Sequence, residues 1–149
     1  RRYDMLYEGY LPQMCGKPFD GIHEIFRYLK EKGVKTALVT GKNKTSCDMT
    51  LRQFGMEAAF DAVEYGSPVG SRKKEAIGIV LEKFGIRPEE AIYLGDAPSD
   101  ITYSHELGLS AAAALWAPST DKAETMAAGP DVACGEPADF LKFLKKTLG

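Results

Sequence analysis

The stretch Ala91-Ile-Tyr-Leu-Gly-Asp-Ala-Pro-Ser-Asp100 constrains the fold more than any other part of the chain. Ala91 to Leu94 is an apolar run of strand length. Gly95 lets the backbone turn closely, and Pro98 suits the first turn of a helix, where its missing N–H leaves no bond unmade. A buried strand thus runs through a tight turn into a helix, with Asp96 at the strand's carboxyl end and Asp100 in the first helical turn. In open parallel α/β sheets ligands bind along that edge. Two acids there, with no basic residue between them, repel each other unless a cation sits nearby. A hard divalent ion such as Mg²⁺, which takes carboxylate oxygens and water, suits the pair. The same acids also suit a helix N-terminus, where the dipole favours negative charge, so this stretch alone leaves both readings open.

From Gly21 onward, strand and helix alternate at short spacings. Ile22, Ile25, Phe26 and Leu29 give one helical face, ended by Gly33, and Val34–Val39 reads as a strand closing on Thr40-Gly41. A helix over about 43–54 stops at Gly55, and a short apolar piece from Ala58 to Val63 reads as a strand. The polar loop Gly66–Ser71 leads into a helix bearing Ala76, Ile77, Val80, Leu81 and Phe84. Beyond the central turn come a helix to Gly108, a strand at Ala111–Leu115, a polar helix over about 120–128 and a strand at Val132–Cys134. An amphipathic helix with Phe140, Leu141, Leu144 and Leu148 ends the chain. This alternation predicts right-handed crossovers and a Rossmann-like parallel sheet covered by helices on both faces. Residues 1–17 read differently: Tyr3, Leu6, Tyr7, Tyr10 and Leu11 recur at helical spacing before a break at Cys15-Gly-Lys-Pro18.

At 149 residues the chain is about one domain long, enough to bury a core. A net charge of −2, with no basic run beyond Arg72-Lys73-Lys74 and Lys145-Lys146, excludes the electrostatic footprint of a nucleic-acid binder. Three widely spaced cysteines without a CxxC pair exclude a disulfide framework or zinc knuckle and fit a reducing cytoplasm. No apolar segment approaches a membrane span. Arg1 in place of an initiator Met leads us to expect a fragment or a processed product.

Parallel strands present their carboxyl ends along one edge, which brings Thr40 and Asp96 to the same edge. Thr40-Gly41-Lys42-Asn43 offers a hydroxyl and backbone N–H groups just before a helix, a geometry that suits phosphate. Thr40 equally suits a plain helix cap. Lys73 or Lys74 places a cation at a helix start, unfavourable without an anionic partner, though a Lys pair is also at home on a solvated face. In order, a hydroxyl after a strand, a lysine at a helix start and paired acids after a strand can bind a phosphate and its metal. His23 and His105 lack partners at ligand spacing, and Cys47 has no histidine placed to activate it. Packing roles suit Cys47 and Trp116, and Lys142, Lys145 and Lys146 read as a solvated helix face.

These features together resemble the haloacid dehalogenase (HAD) superfamily, in its phosphoglycolate-phosphatase-like branch. The matching residues are Gly21–Gly33 leading into Ala37-Leu-Val-Thr-Gly41, then Gly66-Ser67 with Lys73, then the Gly-Asp-x-x-x-Asp pattern of Gly95–Asp100, and Ala114-Leu-Trp116. The resemblance implies that Thr40 binds the transferring phosphoryl group through its hydroxyl, assisted by backbone N–H groups of Gly41 and Lys42. Lys73 would neutralise phosphate charge and position the nucleophile, with Lys74 as the alternative. Asp96 would hold Mg²⁺, and Asp100 would hold the metal or orient the lysine. The implied activity is that of a Mg²⁺-dependent phosphatase acting on a small phosphorylated metabolite through an aspartyl-phosphate. Close alternatives are a HAD phosphomutase or dehalogenase. From a different class, the alternative is a non-catalytic phosphate-ligand-binding or regulatory protein with the same fold.

The sequence departs from the family at the nucleophile, the first Asp of a DxDGT-like motif on the strand nearest the N-terminus. Asp4 is followed by Met-Leu-Tyr, and Phe19-Asp20-Gly21 lacks the paired acid and the preceding strand. Residues 1–17 resemble the end of a helical cap, and 18–149 the α/β core without its nucleophile strand. In the family that strand lies between the strands ending in Thr40 and Gly95, and its loss would leave two buried strand edges unpaired. The expectation is therefore a nucleophile Asp on an N-terminal segment, from the same gene product or another chain.

Overall fold

In a computed structural model of the chain, the described residues are 4–7, 21–39, 43–53, 55–56, 58–65, 71–116 and 120–148. Six strands, β1 (Asp4–Tyr7), β2 (Thr36–Val39), β3 (Ala62–Glu64), β4 (Ala91–Gly95), β5 (Ser110–Ala114) and β6 (Val132–Cys134), form one sheet in the order β3-β2-β1-β4-β5-β6. Every pairing is parallel. Among the described residues the α-helices are α1 (Ile22–Glu31), α2 (Lys44–Gln53), α3 (Ser71–Phe84), α4 (Pro98–Leu107), α5 (Lys122–Ala127) and α6 (Pro137–Leu148), with a 3-10 turn at Pro88–Glu90 before β4. This is the doubly wound Rossmann order that the alternation predicts.

Side chains alternate across the central strands, so each feeds two cores. Leu38, Ile92, Leu94, Ala112 and Ala114 face Ile25 and Leu29 of α1, Cys47 and Leu51 of α2, and Phe140 and Leu144 of α6. Ala37, Val39, Ala91 and Tyr93 face Ala76, Ile77, Val80 and Leu81 of α3. Ala111 and Ala113 cluster with Ile101 of α4. The alanines of β5 divide between the two faces, Ala112 and Ala114 in the first core and Ala111 and Ala113 against Ile101 of α4. Where the predicted bounds shift, local hydrogen bonds explain it. Val34 donates its N–H to Leu29 at 3.0 Å and so completes the end of α1 before β2 begins. Ala59 turns back onto Met56 at 3.1 Å, which delays β3 to Ala62.

One expectation is corrected. Residues 4–7 are not helical but form β1, in the middle of the sheet between β2 and β4. Met5, Leu6 and Tyr7 pair with Thr36, Ala37 and Leu38 on one side and with Ile92, Tyr93 and Leu94 on the other. The place where an unpaired gap was expected is thus filled by the chain's own backbone. Ladder pairing on both sides outweighs a helical spacing that has nothing to pack against. The rest of the 1–17 cap assignment, and the loop Gly66–Gly70, lie outside the described residues.

Candidate functional site

The sheet order reverses between β1 and β4, and ligands of such sheets bind outside the carboxyl ends of the strands at that point. The register sets Leu38, Tyr7 and Leu94 in one row. Asp96 follows that row two residues beyond Leu94 of β4, and Val39, the end of β2, one residue beyond Leu38. One strand lies between them, which at ~4.8 Å per strand separates the two chain paths by about 10 Å.

Gly95, Asp96 and Ala97 make the turn from β4 into α4. Asp96 is 5% exposed and Asp100 is fully buried. One Asp100 carboxylate oxygen, Oδ2, accepts the backbone N–H groups of Asp96 and Ala97, both at 3.0 Å. This third-position acid reaches back over the helix start, as in a capping box, and fastens the turn that carries Asp96. Gly95 is required by this approach, because a Cβ there would overlap the Asp100 carboxylate. From the far side, Ser104 Oγ donates to the Asp100 carbonyl at 2.7 Å, and Thr125 Oγ1 of α5 reaches the Asp96 carbonyl at 3.5 Å. Ser104 and Thr125 are fully buried polar residues that the sequence reading did not pick out. Thr125 lies 29 residues from Asp96, so no local pattern links them.

Of the other candidates, Thr40, Gly41 and Lys42 lie outside the described residues, and Lys73 is described only as a backbone position in the first turn of α3. Lys74 is drawn elsewhere. It forms an ion pair with Glu106 and lies 5.5 Å from the Tyr103 ring centroid. Glu106 is six residues beyond Asp100, about 9 Å along α4 at 1.5 Å per residue.

Beside the Thr40–Lys42 segment, Asn43 caps α2 by accepting the Ser46 N–H at 2.9 Å. Lys44 in the first turn then pairs with Asp48 at 2.6 Å, and Tyr65 donates to the same carboxylate at 2.9 Å. The Lys44 hydrogen bond holds the Asp48 carboxyl below the usual carboxylate range, and Asp48 in turn raises Lys44. Burial, then the bond to Asp48, pushes the Tyr65 hydroxyl up. The i,i+4 spacing of Lys44 and Asp48 was visible in the sequence; the arrival of Tyr65 from β3 was not. His23 is exposed, while His105 meets Asp131 at 2.8 Å on the opposite edge of the sheet. Cys47 and Cys134 are buried.

The donor chemistry at the turn fits Mg²⁺. Two carboxylates four residues apart share one buried turn, and no third Asp, Glu, His or Cys joins them among the described residues. Mg²⁺ is commonly held by one or two carboxylates with water or substrate oxygens completing its shell.

The model of the haloacid dehalogenase-like hydrolases matches residues 5–114, from β1 through β5. The chain belongs to that family. Relatives within it include a phosphoglycolate phosphatase of Synechococcus elongatus, 25% identical over 130 residues, covering 87% of this chain and 60% of the relative. The pyrophosphatase PpaX of Bacillus cereus is 30% identical over 128 residues, covering 85% and 59%. The chain therefore spans about three fifths of the length of these curated relatives. A solved core domain of a phosphoglycolate phosphatase from Streptococcus pneumoniae TIGR4, itself assigned only provisionally, superposes with a TM-score of 0.72. It is 18% identical and covers 97% of this chain and 96% of that one, which shows a shared fold. No helix among the described residues is long and apolar enough to cross a membrane.

Proposed function

We propose that this chain is the phosphate- and metal-binding core of a Mg²⁺-dependent phosphomonoester hydrolase acting on a small phosphorylated metabolite. The observation that carries the reading is the Asp96–Asp100 turn: two buried acids at the switch point of the sheet, with the Asp100 carboxylate accepting the backbone N–H groups of Asp96 and Ala97. Asp96 would hold the Mg²⁺, with Asp100 fixing the turn that presents it. When bound, the ion neutralises phosphate charge and polarises the phosphoryl oxygens. Thr40, with the N–H groups of Gly41 and Lys42, would bind the phosphoryl oxygens, and Lys73 would supply the second positive charge. Lys74 suits that role less, because its ammonium is engaged by Glu106 and Tyr103. Chemically this is positioning plus electrostatic stabilisation of a transferring group.

Among the described residues, none presents an Asp at the carboxyl end of β1. Asp4 pairs with Ala91 at the amino end of β1, three residues or about 10 Å from Tyr7 at the carboxyl end. It therefore lies on the wrong edge of the sheet to attack a phosphate beside Asp96. We assign the nucleophile to an Asp on a further segment, which would reach the carboxyl edge beyond β1, the strand that already fills the place between β2 and β4. The phosphatase relatives support a phosphorylated substrate of this kind, and their different substrates leave its identity to the residues around the edge.

The test is p-nitrophenyl phosphate hydrolysis by the native gene product, with an intact-mass spectrum of every component. Hydrolysis that needs Mg²⁺, stops in EDTA and returns with Mg²⁺ supports the reading. Metal-independent release of halide from a haloacid would replace it with a dehalogenase, and interconversion of sugar phosphates with a phosphomutase. Saturable phosphate binding without turnover, in material of 16.3 kDa only, would leave a phosphate-binding protein.

A further inference from the structure

The opposite edge of the sheet holds a second concave site, independent of the phosphatase reading. There the end of α1, the start of β2 and the segment before β3 surround a cavity of about 450 Å³, within the range of small-ligand pockets. Thr36, the first residue of β2, lines it, while β2 runs on about 10 Å to Val39 at the carboxyl edge. The cavity therefore does not reach the Asp96 turn.

Its lining is divided by chemistry. Phe26, Val34 and Met56 form an apolar wall of otherwise buried side chains. Arg27 and Lys30, with His23, lie along one face of α1 at i, i+4 and i+7. Lys30 Nζ donates to the Ala58 carbonyl at 3.1 Å, which holds its ammonium across the cavity from α1. Arg27 makes no ion pair with any described residue. The acid in the lining, Asp61, turns Oδ2 onto the Thr36 N–H at 2.8 Å and forms no ion pair with Arg27 or Lys30, so two cations face one carboxylate in the lining. Lys35 also borders the cavity, but its ammonium sits 5.5 Å from the Phe84 ring centroid, on the α3 side.

A guanidinium and an ammonium beside an apolar wall recognise an anion that carries a hydrophobic body. The planar guanidinium matches a two-oxygen head group, and the wall covers the apolar part. A bare phosphate would leave the wall wet, and a nucleic-acid strand would need a longer basic track. We propose that this cavity binds a small organic anion with an aromatic or alkyl body, its carboxylate, sulfonate or phosphate held by Arg27 and Lys30.

The probe is naphthalene-1-sulfonate, which a phosphatase cannot consume, titrated into the ¹⁵N-labelled chain while amide shifts are followed. The expected result is saturable movement of Gly33, Val34, Thr36, Gly55 and Met56, with Asp96–Asp100 still. Arg27→Glu with Lys30→Glu should weaken binding at least about tenfold, as expected for two lost charge-assisted bonds. Arg27→Ala should give an intermediate loss, and Lys142→Glu on α6 none. The first two positions are exposed, so a thermal melt should show the fold retained. No saturable shift, shifts centred on Asp96–Asp100, or unchanged affinity in the double variant would overturn the proposal. Equal binding of uncharged 1-naphthol would overturn its anionic part.

Discussion

The two edges of this sheet use the same residue type for different ends. At the amino edge, Asp61 and Asp131 stand immediately before the outer strands β3 and β6. Each makes a two-way clasp with its neighbour. Asp61 accepts the Thr36 N–H at 2.8 Å and donates its own N–H to the Thr36 carbonyl at 2.7 Å. Asp131 does the same with Ala111 at 2.7 and 2.8 Å. At the carboxyl edge, Asp100 turns its oxygen onto its own turn, and Asp96 is what the turn presents. Acids at the amino edge join strands, whereas at the carboxyl edge Asp100 fastens the turn that would present Asp96 to a ligand. Helix direction favours this division, because in βα units the helix N-termini lie at the carboxyl edge, where their dipoles favour negative charge.

The largest effect expected from this contrast is at Asp96. Asp96→Asn keeps the shape of the turn but removes the charge that would hold Mg²⁺, and should lower turnover of the complete enzyme by two or more orders of magnitude. Its melting temperature should stay near that of the parent. Unchanged Mg²⁺-dependent hydrolysis would make Asp96 another structural acid and erase the difference between the edges. A second comparison separates the adjacent lysines. Lys73→Ala should cost activity by orders of magnitude and Lys74→Ala little, since Lys74 serves an exposed pair with Glu106. The reverse result would move the catalytic charge by one residue.

How much of this was legible in the sequence follows from how local each signal is. From α1 onward, apolar spacing and glycine or proline stops set the elements, because each signal lies within one element. Residues 4–7 show the limit. Tyr3, Leu6, Tyr7 and Tyr10 carry helical spacing, and nothing local reports that a slot stands open between strands about 30 and 85 residues further on. An unfilled slot between buried strands is costly, and residues 4–7 fill it with a strand that their own spacing does not announce. The Asp96–Asp100 spacing located the buried turn of the candidate site, but not the bonds of the Asp100 carboxylate to backbone N–H groups. Likewise Thr125 and the clasps at Asp61 and Asp131 join residues 20 or more apart, beyond the reach of any periodicity.

Stability should separate the edges next. Asp100→Ala leaves two N–H groups without their acceptor inside the fold, and should cost about 2–3 kcal/mol in a denaturant titration. Activity should fall with it, since the turn loosens around Asp96. Asp61→Ala removes one acceptor on a half-open edge and should cost about 1–2 kcal/mol, with kcat unchanged in the complete enzyme. A loss of kcat there without a loss of stability would show that the amino edge is coupled to the site.

The smallest effect should come from His105, and it decides what the clasp at Asp131 is made of. Asp131 Oδ2 accepts from the Ala111 N–H and also meets His105 Nε2 at 2.8 Å. The His105 and Asp131 side chains are 36% and 51% exposed, so water and salt screen their attraction. The Ala111 bond, by contrast, belongs to the sheet. His105→Ala should therefore cost no more than about 0.5 kcal/mol, and Asp131→Ala about 1–2 kcal/mol. Equal costs would mean that the ion pair, not the backbone bond, holds β6 to β5. Asp131 would then join its strand by side-chain charge, and the likeness between the two amino-edge clasps would fail.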